Sequence, residues 1–283
     1  MDSRLNLTCT NPPAGACLVD CGRPFHRALG VARGGPADPV AARAANLLLG
    51  QAPDNCCIEA PLYGGQWLLN GGGQIALTGA DMCWRLNGNP VDRYSVLYLD
   101  GDYLLSGRAA VEGCRAYLAV RGQWAVPTRL GSAEAGLPGT QRLQKGSRLT
   151  VIAQSETPFR NDLPPRYASD QQEVTLPARP GPEWHWLPPP EQQQFLAEPL
   201  RIGRSGDRQG LRLDTKWSVP SLASMISSPV LPGTVQLAPG GPILLGPDAQ
   251  TVGGYPRILL IEDYYPVYQL RPGQGLRLVL HPL

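Results

Sequence analysis

A chain of 283 residues, 42% of them hydrophobic, has room for about two domains with real cores. The net charge of +2, with no basic run and no acidic tail, leaves no footprint for nucleic acid or a charged membrane surface. Gly 33 and Pro 30 demand many turns, and a charged content of 17% suits a strand-rich chain better than a helix-rich one.

The opening MDSRLNLTCTNPPAG lacks an apolar segment behind a basic one, and no run of about 18 apolar residues follows anywhere. The expectation is no secretory signal, no membrane partner, an unused Asn6-Leu7-Thr8 sequon and a cytoplasmic location. The seven cysteines (Cys9, Cys17, Cys21, Cys56, Cys57, Cys83 and Cys114) then read as thiols, mostly small buried hydrophobes. Zinc is the sharper alternative, but Cys17 and Cys21 have no second pair at finger spacing, so no metal site is expected.

Taken along the chain, asparagine, aspartate, glycine and proline punctuate short apolar runs. Asp38 is a good N-cap with Pro39 at the first helical position; Val40, Ala44, Leu47 and Leu48 recur at helical spacing, Arg43 falls opposite, and Gly50 supplies the stop. The helix is therefore placed at 39–49. Strands are expected at Gln74–Thr78, Val96–Leu99, Ala116–Val120, Leu149–Ile152, Leu211–Leu213, Ile243–Leu245, Ile258–Ile261 and Leu276–Leu280. Three times a turn and glycine lead into an apolar run: Asp100–Ser106, Lys145–Ile152 and Pro272–Leu280. The recurrence suggests two barrels, each closing with a similar strand. Residues 157–190, rich in Pro, Arg, Asp and Gln, read as a Pro-rich linker between domains at 1–156 and 191–283, with a second helix around Glu191–Leu196.

Four stretches carry candidate chemistry. In Gly30–Pro39 (GVARGGPADP), glycines before a capped helix can turn N–H groups toward an anion or a developing oxyanion, or can simply make a tight strand-to-helix turn. In Thr78–Asp81 (TGAD), Asp81 can orient a substrate or cap its own turn; the hairpin-like Leu86–Val91 follows. In Gln250–Pro256 (QTVGGYP), Gly253 and Gly254 permit close backbone approach, Gln250 and Thr251 add polar groups and Tyr255 offers a hydroxyl; an ordinary hairpin turn is the alternative. In Asp207–Leu213, Arg208 and Arg212 would share one strand face and suit an anionic substrate or phosphate, or else sit in surface ion pairs. No Walker A loop, HExxH or nucleophile elbow is present, and His185, between Trp184 and Trp186, is expected to pack in an aromatic cluster.

In order, these stretches resemble the family of the C component of 5-oxoprolinase, allophanate hydrolase subunit 2 and the biotin-dependent carboxyltransferase part of urea carboxylase. The resemblance rests on Asp20, Gly22 and Arg23; Gly30, Val31, Gly35, Pro36 and Asp38; Ala45, Asn46 and Gly50; Glu59; Thr78–Asp81; Leu86–Gly88; Gly113, Arg115 and Tyr117–Val120; Arg208–Leu213; Gln250–Pro256; and Gln269–Gly273. Departures are Val19, Gly34, Ala37, Gly131–Ala135 where relatives carry Gly-Ser-Arg-Ser-Thr, an eroded glycine pattern at Pro138–Arg142, Gln209, Ser228-Pro229 and Val252.

The resemblance implies a mainly β fold with a few short helices, arranged as tandem cyclophilin-like β-barrels. It implies one component of a heteromeric amide (lactam) hydrolase that uses ATP with Mg. This component would act with a homologue of the B component, and transiently with the A component, to open 5-oxoproline to L-glutamate. Alternatives are carboxyl transfer to urea or a similar amide, with biotin on a separate carrier chain, and a non-catalytic regulatory partner of a kinase-inhibitor-like B component. Ligand contacts are then expected from Arg23, Arg33, Gly34, Gly35, Arg208, Arg212, Gln250, Thr251, Gly253 and Gly254, with Asp38, Asp81 and Tyr255 as catalytic candidates.

Overall fold

Alternation sets the first strand: Leu5, Leu7 and Cys9 turn into the core while Arg4 and Asn11 face outward. This strand opens the computed structural model, which describes residues 4–140, 142–153, 172–220, 222–223 and 225–281. Two units are resolved, Met1–Gly22 with Asp38–Ser169, and Arg23–Ala37 with Asp170–Leu283.

The N-terminal unit contains β1 (Arg4–Asn11), β2 (Cys17–Val19), α1 (Pro39–Leu48), β3 (Cys57–Pro61), β4 (Tyr63–Asp81), β5 (Arg85–Leu86), β6 (Asn89–Pro90), β7 (Val96–Ala109), β8 (Glu112–Val120), β9 (Gln123–Trp124) and β10 (Arg148–Ile152). The sheet runs β2-β3-β8-β4-β1-β10-β9, with β7 on β4 and the small β5–β6 hairpin on β7. Asn87 and Gly88, both at positive φ, make the hairpin turn expected for Leu86–Val91. Inside lie Leu5, Leu7, Trp67, Leu69, Ile75, Leu77, Leu118 and Val151.

α1 is built as its sequence indicates at the start. Oδ1 of Asp38 accepts from the N–H groups of Val40 and Ala41, both at 3.1 Å, and Pro39 follows. Its buried face differs from the expected one. Ala41, Ala42, Ala45 and Leu49 pack on Val19, Cys57, Ala76 and Ala119, while Val40, Leu47 and Leu48 are only partly covered. Small side chains let the helix lie close on the sheet, so alanines rather than the larger residues define the contact.

The C-terminal unit contains β11 (Glu173–Pro180), α2 (Pro189–Ala197), β12 (Leu200–Gly206), β13 (Gly210–Asp214), β14 (Ser228–Pro229), β15 (Thr234–Ala238), β16 (Gly241–Leu245), β17 (Val252–Gly253), β18 (Arg257–Leu260) and β19 (Gly275–Leu280). Seven of these strands close a barrel in the order β11-β18-β15-β16-β13-β12-β19. The closing pair is parallel, from Glu173 opposite Gly275 to Ala178 opposite Leu280. Closure removes unpaired edges, and Ile202, Leu213, Val235, Leu244, Ile258 and Leu276 fill the interior. Phe195 of α2 is buried edge-on against Trp184 and Trp217. His185 is exposed and meets Trp186 edge-on, outside the cluster of Trp184, Phe195 and Trp217.

All eight expected strands are present, and the mainly β fold in two barrel-type units holds. Three details differ. Among the described residues the N-terminal sheet does not close on itself, whereas the second unit is a closed barrel. Asp100–Ser106 is the middle of the long strand β7 rather than a turn leading into a new one, because β4 pairs with β7 without interruption across Gly101. The expected linker at 157–190 lies partly outside the described residues at 157–171; within the rest, Glu173–Pro180 is a barrel strand. Its prolines conceal an alternation in which Leu176 and Ala178 face inward. The boundary therefore falls before β11, and Arg23–Ala37 belongs with the C-terminal unit.

Candidate functional site

The segment Arg23–Ala37 brings the first glycine motif into the C-terminal unit. Arg23 N–H donates to the Arg33 carbonyl at 2.6 Å, closing the loop between them, and a 3₁₀ turn at Arg27–Leu29 ends at Gly30 with left-handed φ. Ala37 is fully buried in the barrel-side core, so the segment is anchored by packing as well as by polar contacts.

Those polar contacts join the motifs. Gly34 N–H donates to the Pro247 carbonyl at 2.9 Å, and Arg208 Nη2 donates to the Gly35 carbonyl at 2.8 Å. Arg208 also grips Asp248 through Nε to Oδ2 and Nη2 to Oδ1, both 2.8 Å. The Asp248 N–H returns to the Arg208 carbonyl at 3.0 Å, which fixes the two loops in register. Arg27 reaches the same neighbourhood: its Nη2 donates to the Val230 and Gln250 carbonyls. Its Nη1 is buried with no hydrogen-bond partner, and burial together with the neighbouring Arg33 guanidinium holds its pKa below the usual arginine value.

The Gln250–Pro256 stretch is an ordered ribbon rather than a plain turn. Val252 and Gly253 pair with Pro229 and Ser228, Val230 N–H donates to Thr251 O at 3.1 Å, and Met225 N–H to Gly254 O at 2.9 Å. Beneath it, buried Gln236 donates Nε2 to Tyr255 O at 3.0 Å and accepts from Gln250 Nε2 at 3.3 Å. A Cβ on Gly253 would lie 2.7 Å from Gln236 Nε2, so this glycine is what admits the glutamine. The Tyr255 side chain stays 40% exposed.

A separate polar network is buried in the N-terminal unit. Tyr117 donates its hydroxyl to Glu59 Oε2 at 2.9 Å and accepts from Asp38 N–H at 2.8 Å. Arg115 Nε lies 3.3 Å from Glu59 Oε1, and all four residues are nearly inaccessible. Burial, then the Glu59 and Asp38 carboxylates, push the Tyr117 phenol well above its ordinary range. The α1 N-terminus therefore holds its own buried carboxylate, and nothing about Asp38 is open to a ligand. Asp81 likewise caps its own turn, accepting from Cys83 N–H at 2.7 Å, and lies 3.7 Å from Arg93. In the same unit Asp20 accepts from Gly22 N–H, Ser132 Oγ and Ala133 N–H at 2.7–2.9 Å. Ser132, kept with Gly131 in the otherwise divergent 131–135 stretch, is thus used structurally.

Of the residues expected at a site, Arg23, Arg33, Gly34, Gly35, Arg208, Gln250, Thr251, Gly253, Gly254 and Tyr255 all fall in the C-terminal unit. Asp38 and Asp81 belong to the other unit. Arg212 is not paired with Arg208: Arg208 precedes β13 in a turn, while Arg212, on the strand, contacts Pro239 O at 3.5 Å. The structure adds Arg27, Asp248 and Gln236. Only Gln236, a lone amide in the apolar run of β15, carries a local signal; Arg27 and Asp248 are distinguished by contacts far along the chain.

The C-terminal unit is thus a closed barrel in which three glycine-bearing loops gather at Arg208 and Arg27. The sequence profile of the carboxyltransferase domain, subdomain A and B, matches residues 29–280, and the chain belongs to this family. It is 32% identical over 278 residues to the C component of 5-oxoprolinase from Escherichia coli K12, covering 93% of this chain and 87% of that protein. It is 27% identical to urea amidolyase of Lachancea kluyveri over 95% of this chain but only 16% of that protein. The crystal structure of TTHA0988 superposes with a TM-score of 0.83 at 27% identity, covering 99% of this chain and 55% of that one. Among the described residues, no helix is long and apolar enough to cross a membrane.

Proposed function

We propose that this chain is the C component of an ATP-dependent 5-oxoprolinase, acting with the B and A components to open 5-oxoproline to L-glutamate. The observation that carries the reading is the convergence of the Gly30–Pro36, Asp207–Arg208 and Gln250–Tyr255 motifs within one unit, held by Arg208 and Arg27. The 32% identity to the E. coli protein over most of both chains supports it.

5-Oxoproline presents a carboxylate and a lactam carbonyl, so a site for it needs fixed positive charge and N–H donors. The Arg27 and Arg33 guanidinium groups, near enough for one to disfavour the charge of the other, supply the charge. Arg208 is committed to Asp248 and Gly35, so its role is to set the glycine loop and not to meet substrate. Tyr255, exposed above a backbone fixed by Gln236, offers a hydroxyl at the rim. When bound, ATP with magnesium would supply the drive, transferring its terminal phosphoryl group to the lactam oxygen with ADP leaving, so that water can add and the ring open with release of phosphate. Among the described residues no three His, Cys, Asp or Glu side chains gather as a metal site, so no magnesium ligand is assigned to this chain.

The test is co-expression with the neighbouring homologue of the B component and with the A component, followed by an ATP-hydrolysis assay with 5-oxoproline. Stimulated turnover, with KM raised about tenfold or more by Arg27→Gln, is the expected result. A stable complex without stimulation would sink this reading. The second reading, carboxyl transfer from carboxybiotin on another chain, is favoured by the matched carboxyltransferase profile; it predicts transfer of the carboxyl group to urea, leaving free biotin on the carrier, instead.

A further inference from the structure

The N-terminal unit carries an open groove of about 790 Å³, formed by the turn Leu137–Thr140 and the approach to β10 at Gln144–Arg148. Three exposed cationic residues line it, Arg142, Lys145 and Arg148, and among the described residues no carboxylate does. Among the described residues none of the three is in an ion pair. A groove lined by cations with no acidic partner favours an anion.

The walls are fixed. Arg129 donates Nε to the Pro138 carbonyl at 3.1 Å, and a Cβ on Gly139, which sits at φ 82°, would come within 2.9 Å of Arg129 Nη2. Thr140 closes the turn by donating Oγ1 to Leu137 O at 2.6 Å. On the other side, the buried Ser147 hydroxyl accepts from Gln144 N–H at 2.9 Å, and Gly146 and Ser147 exchange backbone hydrogen bonds with Cys9 of β1. The cations therefore project from backbone that needs no reordering to receive a ligand.

We infer that this groove binds a small molecule bearing a diphosphate or longer phosphate group. Two guanidinium forks and one ammonium match clustered phosphate oxygens better than a single carboxylate, and the volume suits a small molecule. All of its lining residues belong to the N-terminal unit.

The probe is inorganic pyrophosphate, titrated into the full chain by calorimetry at low salt, with citrate as a carboxylate of similar charge. Arg142→Gln, Lys145→Gln and Arg148→Gln combined should weaken pyrophosphate binding at least about tenfold. All three side chains are exposed, so thermal melting should stay unchanged. Arg208→Gln should leave pyrophosphate affinity as it is. Pyrophosphate should bind at least about fivefold tighter than citrate. No binding, equal affinity for citrate, or pyrophosphate affinity unaffected by the triple replacement would each overturn the assignment.

Discussion

Arg208 and Asp248 face one another as a two-pronged pair, with both contacts at 2.8 Å, and the Arg208 nitrogen that completes the pair also holds the Gly35 carbonyl. A single guanidinium thus ties the loop before α1 to two loops of the barrel. Lysine can keep the charge but not all three contacts. Arg208→Lys should lower stability by about 1–3 kcal/mol, read as a drop in the thermal midpoint. An unchanged midpoint would show that the loop is held by Gly34 and packing alone.

The buried Tyr117 hydroxyl serves two partners at once. Tyr117→Phe takes away the acceptor for Asp38 N–H and the donor for Glu59 Oε2 without changing the ring. The expected loss is about 2–4 kcal/mol, measured by chemical denaturation. Because Asp38 starts α1, amide exchange in Pro39–Leu48 should quicken more than in the barrel. Uniform quickening in both units would contradict this.

Glu183 is paired with Arg257 through contacts of 2.7 and 2.9 Å and is largely buried. The hydrogen bonds from Arg257 outweigh desolvation and hold its pKa below the ordinary value of about 4.5. A lowered carboxylate contributes stability above its unfolded pKa and loses it as pH falls through the folded one. The wild type should therefore lose stability on acidification from about pH 4.5 downward, and Glu183→Gln should be less stable near neutrality but flatter across that range. Parallel pH curves for the two proteins would rule the pair out as the cause.

All seven cysteines are free thiols, with four buried. Burial pushes Cys9 up to about 11 and Cys56 and Cys57 well above their usual value. Cys21 is exposed, but partial burial first and then Asp20 raise it too, whereas Cys83 is exposed on a turn. Alkylation of the folded protein at pH 8 should label Cys83 first, Cys21 more slowly, and Cys9, Cys56 and Cys57 only after unfolding. Peptide mass spectrometry gives the order directly.

How much of this is visible in the residues depends on how far apart the partners lie. Continuous apolar runs such as Ala116–Val120 and Leu276–Leu280 announce their strands because the signal is local. β12 has looser alternation and goes unannounced, β1 is passed over although Leu5, Leu7 and Cys9 alternate cleanly, and β11 is hidden by Pro177 and Pro180. The α1 cap is legible because Asp38 bonds groups two and three residues away, yet its buried alanine face is not, since a close-packed contact is defined by the sheet. The glycine loops can be singled out as motifs. That Gly35 meets Arg208, 173 positions later, and Arg27 meets Gln250, 223 positions later, needs the fold. The pairing expected for Arg208 with Arg212 fails because strand periodicity does not extend into the turn before β13.

Residues 23–37 are synthesised long before the barrel strands they join, which begin at Glu173. The C-terminal barrel therefore cannot be completed as its own strands emerge; it has to recover a piece made early and left waiting. The N-terminal unit can hold that piece by its ends, through Asp20 at Gly22 and Asp38 at the Tyr117 hydroxyl. Such late, distant closure is slow, so refolding should show the second unit maturing after the first. Severing the chain between the units would leave the N-terminal fragment with all of its own parts and the C-terminal fragment without residues 23–37.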